Sequence, residues 1–252
     1  MVQSKRTFVK SAGCSICGLL LSPPPLQAEL AAPPAHGCIV WDIDTKEKKI
    51  TFLAESTQAF SRRTTGNPEL DLALDHAIKR LADTFNAYPG FGFYDDSDWP
   101  NALAMPRPLL PNTKYTVLFG ERYFRKWMDY DPVGVTVLAV IAHEFGHVLQ
   151  FASGKYDQIH GNIPTSKRIE LHADFMAGFY LGLLKRQNPN ASFWRAGDQF
   201  RQIGTYDDKD PNFHGTPEDR VAASNAGFRI SFVERRSTQA AFDVGMEYVS
   251  TL

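Results

Sequence analysis

The residues of this 252-residue chain best suited to chemistry stand inside its most apolar stretch. From Val133 to Leu149 nearly every side chain is hydrophobic, yet His143, Glu144 and His147 interrupt the run. Leaving polar groups unpaired in such surroundings costs on the order of several kcal/mol, so these three need partners. Residues four apart lie on one helical face a turn apart, so both imidazoles can point at one Zn2+. Glu144 stands beside them, within reach of a water activated there. A second signal follows in Glu170-Leu171-His172-Ala173-Asp174. Glu170 and Asp174 are also four apart, which offers one carboxylate as a third zinc ligand and another to accept the second N–H of a ligating imidazole. The competing reading makes them exposed helix charges paired with Lys167 or Arg168. His172 competes as a ligand, but a histidine between apolar neighbours is more often a hydrogen-bonded core residue.

Helices must position these groups. The run from Asp131-Pro132 to Gln150, breaking near Gly154, predicts a helix apolar on all sides and so central to the core. The next runs from near Ser166 to Asn188-Pro189, packed by Ile169, Phe175, Met176, Phe179, Tyr180 and Leu183. Leu70, Leu74, Ala77, Ile78, Leu81 and Phe85 recur at helical spacing between Pro68 and Ala87, with His76 read as an ordinary surface or packed histidine rather than a ligand. Further helices are expected over Ser192–Ile203, after Thr216-Pro217 and over the last fifteen residues. Short strands are expected within Ile39–Leu53, turning near Asp44-Thr45-Lys46, and at Asn101–Ala104 and Tyr115–Phe119. The rest of Phe91–Pro111 is too rich in Gly, Pro and Asp for long regular structure, and its acidic run Asp95, Asp96, Asp98 reads as solvated. The pattern is α+β and mainly helical, with a small sheet against the helix of His143 and His147.

With 43% hydrophobic and 22% charged residues the chain can bury a sizeable core. Its 27 basic and 28 acidic side chains leave a net charge of -1, which argues against a nucleic-acid partner. Beyond the first two dozen residues no apolar run looks fit to cross a bilayer, because His143, Glu144 and His147 break the best candidate. Residues 1–28 have the shape of an export signal: basic Lys5, Arg6 and Lys10, a mildly apolar stretch, then Pro23 to Ala28. Ser4 to Lys10 resembles a twin-arginine signal with Lys5 in place of the first arginine. Removing three basic residues takes the charge from -1 to -4. Cys14 and Cys17 would leave with the signal, and Cys38, alone, reads as a small, partly buried apolar residue. Residues 29–67 are read as linker and strand, and 68–252 as the main domain.

His143 to His147, followed by Glu170 to Gly178, resembles the gluzincin metallopeptidases, most closely the bacterial neutral zinc metallopeptidase family. His214-Gly215-Thr216-Pro217-Glu218-Asp219-Arg220 resembles the stretch these peptidases place after their zinc helices, and Asn101-Ala102-Leu103-Ala104 resembles their substrate-binding edge strand. The similarity covers residues 68 to 228 and is strongest at the zinc helices. It implies a zincin-like fold and one Zn2+ per chain on His143, His147 and Glu170, with Glu144 as general base and Asp174 orienting His143. His214 or Arg220 would stabilise the oxyanion. Of these two cations the short imidazole of His214 is favoured, Arg220 being suited to clamp its loop to the core. Tyr156, Tyr180 and Tyr206 are further donor candidates. The expected protein is a bacterial periplasmic or secreted zinc endopeptidase acting on a peptide or protein substrate. A zinc amidase acting on cell-wall peptide, or an inactive metallopeptidase-like binding protein, are the alternatives.

Overall fold

The computed structural model describes residues 38–39, 50–54, 65–98 and 100–252. The expected export signal, most of the segment read as linker and the turn near Asp44 lie outside the described residues. The chain is mainly helical with a small mixed sheet, as the patterning implies.

Helix α1 (Pro68–Phe85) starts where expected: the Asn67 side chain accepts from the N–H groups of Glu69 and Leu70, and Pro68 opens the first turn. Four strands form one sheet in spatial order β1-β2-β4-β3: β1 (Ile50–Ala54), which precedes α1, and β2 (Gly90–Tyr94), β4 (Thr116–Gly120) and β3 (Ala102–Met105), which follow it. β2 pairs antiparallel with β1 and parallel with β4, and β3 pairs antiparallel with β4, so β3 lies at an edge. Alternation sorts the side chains. Phe91, Phe93, Val117 and Phe119 join the helical core, whereas Tyr94, Leu103, Met105 and Leu118 form a small cluster of their own. β2 corrects the expectation of irregular chain after Phe91; its two glycines hide a strand whose phenylalanines are fully used.

Helix α2 (Glu121–Tyr130) is a second correction, since no helix was expected there. It begins directly at the end of β4, and its first N–H groups are satisfied from far along the chain. Asp96 Oδ1 accepts from Arg122 N at 2.8 Å and Oδ2 from Tyr123 N at 3.0 Å. Asp96 is therefore buried rather than solvated.

Helix α3 (Val135–Ala152) carries His143 and His147. It starts four residues after Asp131, not at Pro132, because Gly134 takes a left-handed conformation (φ 81°) that ends a separate turn. Asp131 still serves as a cap, accepting from Thr136 N at 2.8 Å. α3 is long and apolar enough to span a bilayer by length and composition, but most of it is buried inside the protein. It lies between the sheet, at β3 and β4, and helix α5 (Lys167–Gln187). The short α4 (Tyr156–His160) links them. α6 (Trp194–Ile203), α7 (Pro217–Phe232) and α8 (Thr238–Ser250) complete the chain near the expected places, α7 with a reciprocal cap between Thr216 and Asp219. α5 and α7 touch backbone to backbone, with Gly178 against the Ser224 carbonyl and Gly227 against the Phe175 carbonyl.

Candidate functional site

α3 and α5 bring His143, His147, Glu170 and Asp174 together in the core. The His143 and His147 Nε2 atoms are 3.1 Å apart, and Glu170 lies 3.2 Å from the first and 3.5 Å from the second. Each imidazole has its other nitrogen committed. His143 Nδ1 donates to Asp174 Oδ1 at 2.7 Å, and His147 Nδ1 donates to Gln150 Oε1 at 3.0 Å. Both Nε2 atoms are thereby left as lone pairs aimed at one point.

The residue that sequence reasoning missed is Cys38. Its Sγ is 3.0 Å from His143 Nε2, 3.2 Å from His147 Nε2 and 3.2 Å from Glu170 Oε2. The small-apolar reading of Cys38 is therefore corrected, because its sulfur is the fourth member of a buried donor set that could hold a metal ion. Tetrahedral bonds of about 2.0–2.3 Å put ligand atoms roughly 3.3–3.7 Å apart, close to the separations seen here, so the residues fit a metal such as zinc. Nothing along the chain signals Cys38, which joins the site from 105 residues before His143. Gln150 was also missed, though another polar side chain inside α3 was a usable hint. It donates to the Ile169 carbonyl at 2.7 Å and lies 3.3 Å from His172 Nδ1.

The electrostatics of the cluster invite positive charge. Burial opposes protonation of His143, yet Asp174 and Glu170 outweigh it and raise the imidazole to about 10. Burial likewise opposes ionisation of Glu170, but His147 and His143 hold its carboxyl well below the usual range. A proton or a metal ion answers the same demand. Glu144 differs. Burial, reinforced by Glu170, lifts its carboxyl to about 8, and Oε2 is enclosed with no hydrogen-bond partner.

Glu170 and Asp174 are not exposed helix charges: Lys167 pairs with Asp219, and Arg168 binds the carbonyls of Ser250 and Leu252. His172 is a core residue, its Nε2 donating to the Phe242 carbonyl at 3.2 Å, and burial lowers it to about 4. Arg220 donates from Nε and Nη2 to the two oxygens of Asp174, each at 2.8 Å, and from Nη1 to His214 Nδ1 at 3.0 Å. Here the expectation of two cations is corrected. Arg220 donates to His214 Nδ1, which leaves the ring N–H on Nε2, and burial, with Arg220 beside it, lowers His214 to about 4. Arg220, fully buried, is engaged with Asp174.

Along β3 the four residues of the expected substrate-binding edge, Asn101 to Ala104, divide by backbone direction. The Asn101 carbonyl accepts from Gly120 N at 2.8 Å, so by alternation Asn101 and Leu103 turn their backbone groups to β4, and Ala102 and Ala104 turn theirs to the opposite edge, where Ala104 N donates to the Cys38 carbonyl. Tyr206 is exposed and bonded to Glu218, Tyr180 packs in the core against Phe85, and Tyr156 stacks by Phe151 and His160. No family model, curated protein or solved structure matches the chain.

Proposed function

We propose that the protein is an exported zinc-dependent endopeptidase with a zincin-like arrangement of α3, α5 and the sheet. The observation that carries this reading is the convergence of the His143 and His147 Nε2 lone pairs on Glu170, with the unpartnered carboxylate oxygen of Glu144 beside them. Zinc bound by His143, His147 and Glu170 would supply Lewis-acid activation of water and of the scissile carbonyl.

The chain's own residues supply the remainder. Asp174 and Gln150 fix the two imidazoles in the tautomer that leaves Nε2 free. Glu144, enclosed beside the donor set with Oε2 unpartnered, is placed to take a proton from the attacking water and return it to the leaving amine. His214 offers its Nε2–H to the developing oxyanion, held in that tautomer by Arg220. The edge of β3 away from β4, through Ala102 and Ala104, would bind an extended peptide by strand addition in place of Cys38 and Ile39, which pair with Ala104 there.

The test is a proteomic cleavage screen with metal analysis, run on wild type and Glu144→Gln. The variant keeps the metal and loses at least about a hundredfold in rate. A variant as active as wild type would remove Glu144 from the reaction.

One observation favours a second reading. With Cys38 the site has four protein donors, the pattern of a closed structural zinc centre in a protein without this activity. In that case the screen finds no cleavage and chelation lowers thermal stability sharply.

A further inference from the structure

Three of the four donors stand on the two helices that make the core, and the fourth arrives separately. Cys38 enters beside β3: its carbonyl accepts from Ala104 N at 3.0 Å, and Ile39 forms a parallel bridge with Ala104. Its own N–H donates to Glu170 Oε1 at 3.3 Å. The opposite side of β3 is filled by β4, so Cys38 and Ile39 occupy its one remaining edge. Glu144, with its unpartnered Oε2, lies against the same thiol, and none of Cys38, His143, Glu144, His147 and Glu170 is more than 7% exposed. A catalytic zinc site needs a position open to water, and a peptide substrate needs the strand edge. One short segment obstructs both.

We propose that the segment bearing Cys38 is a built-in plug. Its thiolate completes the shell of a metal held by His143, His147 and Glu170, and its backbone fills the β3 edge, so that water and extended peptide are excluded together until the segment withdraws. The inference rests on the metal-centre reading above. On ligation the S–H bond gives its proton to solvent and a metal–sulfur bond forms, with no change of oxidation state. Withdrawal reverses that exchange and opens the position facing Glu144.

The test uses the full chain with Cys14→Ser and Cys17→Ser, so that any thiolate signal belongs to Cys38, loaded with Co2+. This protein shows a thiolate-to-cobalt charge-transfer band in the near ultraviolet and a spectrum unmoved by azide. Adding Cys38→Ser, or Cys38→Ala as a second variant, abolishes the band and lets azide shift the remaining spectrum. In the zinc forms peptide hydrolysis rises at least about tenfold, as expected when a site open less than a tenth of the time becomes permanently open. A full chain without the band, a band that survives loss of Cys38, or azide acting equally on both proteins overturns the plug. Spectra that behave as expected in proteins that hydrolyse nothing support the plug and overturn the peptidase reading instead.

Discussion

Arg220 grips Asp174 in a two-pronged pair, Nε to Oδ2 and Nη2 to Oδ1, each at 2.8 Å and both side chains sealed from solvent. Asp174 Oδ1 also receives the His143 N–H, so one carboxylate fastens α7 to a candidate metal ligand on α3. Arg220→Ala leaves that carboxylate short of its main counter-charge, and breaking a buried pair in this way costs about 3–5 kcal/mol. The expected outcome is a lower melting temperature together with weaker zinc binding, read by thermal melts and chelator titration. Arg220→Lys, which cannot form the fork, falls between. A loss confined to kcat with an unchanged melt would instead assign Arg220 to the oxyanion.

Glu170 and His172 sit two residues apart on α5 and point to different neighbours. Glu170→Ala removes a candidate ligand and is expected to lower zinc occupancy by at least about tenfold. His172→Ala breaks a buried link between Gln150 and the Phe242 carbonyl, so it lowers stability by about 1–3 kcal/mol and leaves most of the metal. Metal analysis beside thermal melts separates the two. Equal metal loss would mean that the third ligand has been misassigned.

Gly227 faces the Phe175 carbonyl so closely that an added Cβ would overlap it. Gly227→Ala must therefore part α7 from α5 and disturb the Arg220–Asp174 pair as well as the packing. Overpacking of this kind costs about 1–3 kcal/mol or more, despite the usual helix-favouring effect of alanine. Equilibrium denaturation measures it, and a variant as stable as wild type would show that the two helices separate freely.

The buried histidines set a pH dependence. His172 and His214 are held near 4, against an ordinary value of 6.5, chiefly by burial. Between these values the unfolded chain binds protons that the folded chain refuses, so stability present above about pH 6.5 is lost as the pH falls through 4. Each could contribute up to about 3 kcal/mol. Melting temperatures measured from pH 7 to 4 should fall less steeply for His172→Gln than for wild type. Parallel slopes would exclude His172 as a source.

What the sequence made legible were features carried by local spacing. The pairs His143/His147 and Glu170/Asp174 each lie one helical turn apart, and both helices follow from apolar patterning with recognisable stops. What escaped depends on contacts through space. α2 was invisible because Asp96, far back in the chain, caps it, and β2 because glycine masks its alternation. The charge of His214 could not be read because burial decides it. Asn101 looked like part of a binding edge, but register with β4 turns its backbone inward. Cys38 has no periodic neighbours, and its role is set entirely by the company it reaches.

The distances along the chain imply an order of assembly. His143 meets Asp174 across 31 residues, whereas Cys38 meets His143 across 105. Closing the longer loop costs about 1 kcal/mol more in chain entropy, and contacts close in sequence form first. The helix-borne pocket is therefore expected to be complete before the N-terminal segment docks, and the segment can detach while the helices stay folded. Hydrogen exchange would record the asymmetry: the Ala104 amide, bonded to the Cys38 carbonyl, should exchange far sooner than the amides around His147. The chain would thus fold around an accessible centre and close it last.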